Sequence, residues 1–178
     1  MINVFGEEKF RPVKKHGIPV PNYFVSNEGQ VYSSFTKKIL SPGKSSANCG
    51  TKYTVALTVD LKEWEKNGGY IYSSGPNNKD TCMFSVTVHR LVMDAWKSID
   101  EYPPERLSEN WDEVITPDMV GQPRIPESYK QWVRDTAIID HINDDPSDNR
   151  VDNLRWCTPI DNSHHRKKRE FVSNNGEN

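Results

Sequence analysis

Apolar and polar residues alternate over short stretches in the first half of the chain. YFVSNEGQVYSS places apolar and aromatic residues on both sides of an Asn-Glu-Gly turn, and YTVALTVDL is rich in β-branched residues. Both segments predict strands of a small antiparallel sheet. In SVTVHRLVMDAW the alternation gives way to Leu91, Val92, Ala95 and Trp96 at helical spacing, which predicts a strand that enters a short helix.

Residues 98–136 differ in composition from the segments on either side. They contain five prolines, nine acidic residues against four basic ones, and two tryptophans. This composition predicts a long ordered loop with a helix near Glu127–Arg134. The tail after Phe171 consists of small and polar residues, and it is predicted to be disordered.

The segment IIDHINDDPSDNRVDNLRWCTPIDN combines two strand patterns with the start of a helix. Residues Ile138–Ile142 and Leu154–Cys157 predict strands, separated by the turn-forming run DDPSDN. Thr158 is a good N-cap, Pro159 suits the first helical position, and Asp161 completes a capping-box pattern. The predicted order is therefore strand, strand, helix, or ββα.

These patterns together predict an α+β protein in four segments. Residues 1–97 form a small, mostly-β module, and residues 98–136 form an acidic insertion that contains prolines. Residues 137–171 form the ββα unit, and residues 172–178 form the tail.

The net charge of -2 conceals an uneven distribution of charge. Residues 1–58 carry eight Lys and Arg against three Asp and Glu, whereas residues 59–136 carry nine against fourteen. A basic cluster, Arg166–Arg169, follows the ββα pattern. Because phosphate contacts depend on local patches more than on net charge, this distribution is compatible with nucleic-acid binding.

Neither a membrane segment nor a cysteine framework is indicated. No apolar run reaches the roughly 20 residues needed to cross a bilayer, and MINVFGEEKFRPVKK lacks the apolar region of a signal peptide. A cytosolic protein without membrane contact is therefore expected. Cys49, Cys82 and Cys157 lie far apart without a C-x-x-C pair, which predicts reduced thiols.

The residues from Asp140 to Asn162 supply the groups that phosphodiester hydrolysis requires. A histidine titrates near neutral pH, so His141 is the candidate general base that activates water. A hard cation such as Mg²⁺ takes oxygen ligands, which the Asp140 carboxylate and the Asn162 side-chain carbonyl offer. Adjacent strand residues point to opposite faces, so a bulge or a strand end is predicted at Asp140 and His141.

The run DHIN, followed by DNLRWCT and then by Asn162, resembles the HNH nuclease motif in the variant that ends in Asn instead of His. Phage HNH homing endonucleases and the phage recombination endonuclease VII family carry this variant. The resemblance implies a ββα-metal (His-Me finger) motif in residues 137–171, with Asp140 and Asn162 as metal ligands and His141 as general base. It implies that the Asn153 side chain ties the loop together and orients the histidine.

The resemblance extends upstream, where NYFVSNEGQVYSS, ILSPG and VTVHRLVMDAW are similar to a small module that precedes the nuclease in many phage homing endonucleases. It implies hydrolysis of double-stranded DNA with one Mg²⁺ or Mn²⁺, by nicking or double-strand cleavage. The products would carry 5′-phosphate and 3′-hydroxyl ends. The expected location is the cytoplasm of a bacterial or phage-infected cell.

The chain departs from these relatives in two places. The connection across residues 98–136 is longer and more acidic than the usual short link, and no helix-turn-helix follows the motif. The source of target recognition therefore stays open, as does the choice between a monomer and a homodimer.

Cationic residues around the motif are the candidate DNA contacts. Helical spacing places His165 and Arg166 on the same face as Asn162. His164, like His165, is interpreted as solvated or facing DNA. His89 is interpreted as a buried histidine that stabilises the sheet, with direct catalysis as the alternative. The candidate DNA-binding residues are Arg90, Arg155, His165, Arg166, Lys167, Lys168 and Arg169.

Other interpretations of the same residues remain open. The polar side chains of the motif also suit a turn-rich loop in which they cap backbone groups. A Holliday-junction or branched-DNA resolvase is the alternative among nucleases. A catalytically silent DNA-binding protein is the alternative outside them, and a structural zinc module is disfavoured because paired cysteines are lacking.

Overall fold

A computed structural model describes residues 10–15, 17–47, 50–69, 80–111 and 127–165. These residues form both helices and antiparallel strands, which confirms the predicted α+β class. The chain divides into two compact units, the first comprising residues 1–98 and 141–154 and the second residues 99–140 and 155–178. The predicted segment boundaries remain predictions.

The first unit contains two antiparallel sheets. One sheet has four strands in sequence order, β1 (Phe10–Lys15), β2 (Ile18–Ser26), β3 (Val31–Ser33) and β4 (Lys38–Ile39). The other sheet has three strands, β5 (Gly43–Ala47), β6 (Gly50–Asp60) and β7 (Thr81–Thr87). Helices α1 (Leu61–Lys66) and α2 (Val88–Trp96) directly follow β6 and β7.

Helix α2 contributes four residues to the core of the first unit. Val88, Leu91, Val92 and Met93 are all buried, and the helix contacts β1. At its end, the indole N–H of Trp96 donates to a carbonyl oxygen of the first sheet at 3.1 Å. The core therefore fixes α2 against this sheet along its whole length.

The second unit contains helices α3 (Glu105–Trp111) and α4 (Glu127–Thr136), together with a helical segment at 159–165, here called α5. Trp111 is buried, and its indole donates to the Asp100 carbonyl at 3.1 Å. Lys130 is buried as well, with Nζ 5.0 Å from the centre of the Trp111 ring. The tryptophan thus gives residues of the predicted insertion a small core.

Strands β8 (Ile138–His141) and β9 (Leu154–Cys157) form a two-stranded sheet, with a 3₁₀ turn at Val151–Asn153 before β9. Together with α5 they complete the predicted order ββα. Strand β8 ends at His141, one residue earlier than predicted. The strand end that Asp140 and His141 required is therefore present.

The structure confirms most of the other predicted elements and adds two helices. The predicted strand YTVALTVDL ends one residue early, because Asp60 caps α1 by accepting from the Glu63 N–H at 2.8 Å. The predicted helix near Glu127–Arg134 is α4. The loop predicted for residues 98–126 was wrong at α3, which begins directly after two prolines, where the missing N–H groups cost the helix nothing.

Two further predictions concern the membrane and the cysteines. In the part of the chain that the structure describes, no helix has the length and apolar character needed to cross a membrane. Cys82 and Cys157 are buried free thiols, as predicted. Cys49 lies outside the described residues.

Candidate active site

His141, in the first unit, is half-buried at the end of β8. Its Nε2 lies 3.3 Å from the side-chain oxygen of Asn149. The Asn149 amide nitrogen donates to the carbonyls of Pro146 and Ser147 at 3.4 and 3.2 Å, which turns Oδ1 toward the histidine. Because an acceptor faces Nε2, the neutral ring carries its proton there and has an unprotonated Nδ1.

The turn between β2 and β3 supports the loop that carries Asn149. The Asn27 carbonyl accepts from the N–H of Val151 at 2.8 Å. Gly29 has a φ of +80°, and a Cβ built on it would lie only 2.9 Å from the Cβ of Asn149. The Asn-Glu-Gly turn therefore joins two strands and also holds the residue that bonds to His141.

Asn153 ties the same loop to itself. Its amide nitrogen donates to Asn143 Oδ1 at 2.9 Å and to the Asp148 carbonyl at 2.8 Å, and its Oδ1 accepts from the Asn143 N–H at 3.0 Å. Asn153 is nearly buried, so these bonds satisfy a polar group that would otherwise destabilise the fold. Asn153 thus holds the loop, while the hydrogen bond to the His141 ring comes from Asn149.

Two carboxylates of this loop, Asp145 and Asp148, are also held by local bonds. The Arg150 side chain lowers the pKa of Asp148 to about 2 by donating to its carboxylate. The hydroxyl and N–H of Ser147 likewise lower the pKa of Asp145. Both carboxylates therefore stay ionised at neutral pH and keep the turn between β8 and β9 in one conformation.

His89, in the first turn of α2, meets His141 edge to face. The ring centroids lie 5.5 Å apart, and the ring planes make an angle of 89°. Burial lowers the pKa of His89 to about 4, with smaller contributions from the charges of His141, Lys52 and Arg90. His89 is therefore uncharged at neutral pH beside the candidate base.

Asp140, in the second unit, is nearly buried and is bound by Arg155. Arg155 donates to Asp140 Oδ2 from Nε at 3.0 Å and from Nη2 at 2.7 Å. The same Nη2 lies 3.0 Å from Nδ1 of His165. Because a guanidinium only donates, Nδ1 is the acceptor, and its 3.4 Å separation from Asp140 Oδ2 is a close approach and not an ion pair.

Helix α5 carries Asn162, and its start is capped as predicted. The Thr158 hydroxyl donates to the Asp161 carboxylate and accepts from the Asp161 N–H. Arg106 of α3 also binds Asp161, at 3.0 Å. Burial raises the pKa of Asp161, but the bonds from Thr158 and Arg106 outweigh it and lower the pKa overall.

Arg155 and His165 border a cleft of about 310 Å³ in the second unit. The Arg106–Asp161 pair lies on the same cleft, as do Glu105 and residues of β9. Arg155, which binds Asp140, therefore lies on a cavity whose walls carry both signs of charge.

The donor atoms predicted for a metal ion suit a hard cation. Asp140 offers carboxylate oxygen, and Asn162, half-buried on α5, offers an amide oxygen. Within the described ranges, no group of three or more His, Cys, Asp and Glu is placed to hold a metal ion. A pair of one carboxylate and one amide would leave the remaining positions of the ion to water and phosphate.

The other candidate DNA contacts occupy different environments. Arg90 is bound to Asp94 at 3.0 Å on the same helix. His165 is half-buried, whereas His164 is exposed. The basic cluster Arg166–Arg169 lies outside the described residues.

Sequence reasoning did not connect three residues with His141 that the structure places around it and its loop. Asn149 lies in the run DNR, shortly before Asn153. The one feature that could have drawn attention to it is that it is a second amide side chain within the motif. The sequence identified Gly29 as a turn glycine, but nothing in it indicated that Asn149 lies against this turn. His89 was interpreted as a buried histidine in preference to a catalytic one, because nothing local connects residue 89 with residue 141.

Two short strands, a helix and a histidine at a strand end define the ββα class of nuclease motif. Residues 124–164 match the family model described as HNH endonuclease. This match confirms the resemblance that the sequence motif indicated for this segment.

Two individual proteins are similar to nearly the whole chain. An uncharacterised HNH endonuclease of Acanthamoeba polyphaga mimivirus is 23% identical over 171 residues, which cover 93% of this chain and 34% of that protein. A solved structure of the HNH homing endonuclease I-HmuI, concerned with DNA binding and cleavage, matches with a TM-score of 0.47 and 18% identity. That match covers 91% of this chain and 59% of the other. The chain thus spans about a third of the viral relative and less than two thirds of the solved one.

Proposed function

We propose that this protein is a metal-dependent endonuclease that hydrolyses phosphodiester bonds in double-stranded DNA. The observation that carries the proposal is the contact of His141 Nε2 with the Asn149 oxygen, from which we infer that Nδ1 is the unprotonated nitrogen of the neutral ring. A fixed imidazole with one basic nitrogen is the group that a hydrolytic enzyme needs to activate water. The family match over residues 124–164 gives independent support.

In the proposed reaction, Nδ1 of His141 takes a proton from a water molecule as its oxygen attacks phosphorus. The bond between phosphorus and the 3′ oxygen breaks, and the leaving oxygen takes a proton from solvent. The products then carry a 5′-phosphate and a 3′-hydroxyl. The Nε2–H bond to Asn149 persists when the ring becomes charged, so the base keeps its orientation throughout.

Asp140 and Asn162 would hold one Mg²⁺ or Mn²⁺, which would offset negative charge on the phosphoryl and leaving oxygens. Arg155 compensates the charge of the nearly buried Asp140 and fixes its orientation through two hydrogen bonds to one oxygen. The side chains of Arg90, His165 and Arg166–Arg169 are proposed as contacts to the DNA backbone. A single site of this kind acts on one strand, so a monomer would nick DNA and a homodimer would cut both strands.

The test is nicking of supercoiled plasmid by the wild-type protein and by His141→Ala, with Mg²⁺ and with Mn²⁺. Loss of the base should slow nicking by roughly 100-fold or more while folding and DNA binding persist. Undiminished nicking by a folded His141→Ala protein would contradict the role of His141 as general base.

Two other outcomes would point to the alternative functions. Salt-sensitive DNA binding by the wild type without cleavage in any divalent ion would identify a silent DNA-binding protein. A strong preference for a four-way junction over linear duplex would identify a resolvase.

A further inference from the structure

The ring of His89 touches the ring of the candidate base, although the two residues lie far apart in the sequence. The edge-to-face arrangement, with centroids 5.5 Å apart, is a favoured geometry for aromatic rings. Helix α2 sets the backbone of His89 within the core, since Val88 beside it is 1% exposed and Leu91 is fully buried. The contact is therefore made from a rigid element and not from a loop.

The hydrogen bond to Asn149 holds the His141 ring at one atom only, so a second contact is needed to fix the orientation of the ring. The Asn149 oxygen binds Nε2 at 3.3 Å and thereby fixes the position of that nitrogen. A single hydrogen bond of this length still lets the ring rock, which moves Nδ1, the atom that would take the proton. A second contact, from the side of the ring, removes this motion.

We infer that His89 is a positioning residue, which holds the His141 ring in the orientation of a general base by edge-to-face contact. The inference rests on the proposed function of His141. It also gives the N-terminal module a role in catalysis besides any role in DNA binding, because that module supplies His89.

Two further observations agree with this role. Burial holds the pKa of His89 near 4, so the ring stays uncharged and does not repel a protonated His141. The same module contacts the His141 loop a second time, through the Asn27 carbonyl and the close approach of Gly29 to Asn149. The first unit thus surrounds the histidine with restraints from three separate segments.

The experiment compares His89→Ala and His89→Phe in the full chain. The phenylalanine keeps an aromatic ring for the edge-to-face contact, whereas alanine removes it. In single-turnover nicking of supercoiled plasmid with Mg²⁺ or Mn²⁺, His89→Ala should lower the saturating rate by roughly 10- to 100-fold. The protein concentration that gives half the maximal rate should not change, and His89→Phe should restore most of the lost rate.

A matched control separates positioning from a general loss of stability. Val92→Ala truncates a fully buried residue of the same helix and should destabilise the fold without slowing the nicking step. A second readout is independent of cleavage. A ring that rocks in His89→Ala loses its hydrogen bond to the Asn149 oxygen part of the time. The nitrogen chemical shifts of the His141 ring should therefore show a single Nε2–H tautomer in the wild type and in His89→Phe, and a mixture in His89→Ala.

The inference is overturned if folded His89→Ala nicks at the wild-type rate, if His141 keeps its shifts in that variant, or if His89→Phe is as slow as His89→Ala. Failure of the proposed function gives a different result. If the wild type nicks nothing in either metal, the shifts of His141 still decide whether His89 holds the ring.

Discussion

Gly29 lies directly against Asn149, so closely that a Cβ on the glycine would come within 2.9 Å of the Asn149 Cβ and 3.0 Å of its carbonyl oxygen. Asn149 is in turn the residue that faces Nε2 of His141. A turn of the N-terminal sheet therefore limits where the histidine loop can lie. The two segments fit together because position 29 has no side chain.

The first prediction follows from this approach. Gly29→Ala should lower the free energy of unfolding by about 2–4 kcal/mol, through a strained positive φ and a clash that displaces Asn149. Plasmid nicking should slow as well. Gly17→Ala is the matched control, since Gly17 also has a φ of +80° but nothing lies within 4 Å of its built Cβ. Equal effects of the two variants on denaturant unfolding and on nicking would contradict the proposed support of Asn149.

The second prediction concerns the tautomer of His141. Asn149→Leu removes the acceptor that faces Nε2, so the ring should lose its preference for the Nε2–H form. Nitrogen chemical shifts of His141 should then report a mixture, and nicking should fall by roughly 10-fold or more. A single unchanged tautomer in the folded variant would show that another group sets the proton position.

The third prediction concerns the ion pair of Arg155 with Asp140. Asp140 is 5% exposed, so Arg155→Ala removes two charge-assisted hydrogen bonds from a nearly buried carboxylate. The free energy of unfolding should fall by about 2 kcal/mol, less than for a fully buried pair because the Arg155 side chain is 34% exposed. Arg150→Ala breaks the exposed pair with Asp148 and should cost much less. Chemical denaturation of both variants measures the difference, and similar losses would argue against a special environment for Asp140.

The fourth prediction follows from the low pKa of His89. The unfolded chain binds a proton at this residue below pH 6.5, whereas the folded protein does so only near pH 4. The stability that His89 contributes is therefore present above pH 6.5 and is lost as the pH falls toward 4, by roughly 2–3 kcal/mol. Unfolding of the wild type and of His89→Phe between these pH values checks this, because the variant should lose less stability on acidification. Parallel curves would mean that His89 is not kept neutral by burial.

Local rules predicted much of the fold. Alternation located β2, β3, β6 and β7, and the Thr158 and Asp161 pattern located the start of α5. Helix α3 was missed because its two preceding prolines were counted as loop residues, although prolines also precede helices. Its tryptophan is among the residues that the second unit buries, and burial cannot be predicted from so irregular a segment.

The candidate site likewise has features that local sequence predicted and features that it did not. The motif from Asp140 to Asn162 named the chemistry, because the residue types and their spacing are local properties. The resemblance implied that Asn153 ties the loop together and orients the histidine, whereas the structure gives the loop-tying bonds to Asn153 and the hydrogen bond to the His141 ring to Asn149. Both are amides in one short loop, and only the path of the backbone decides which of them faces the ring.

The sequence by itself determined the secondary elements of the ββα motif, the family to which residues 124–164 are matched and the kinds of atoms offered to water and to a cation. Tertiary structure alone decided that Arg155 binds Asp140, that Gly29 supports Asn149 and that His89 meets His141. The physical reason is how far apart in the sequence the interacting residues lie. Hydrogen-bonded turns, caps and periodic faces depend on residues a few positions apart, whereas these contacts join segments that meet only when the cores of the two units form.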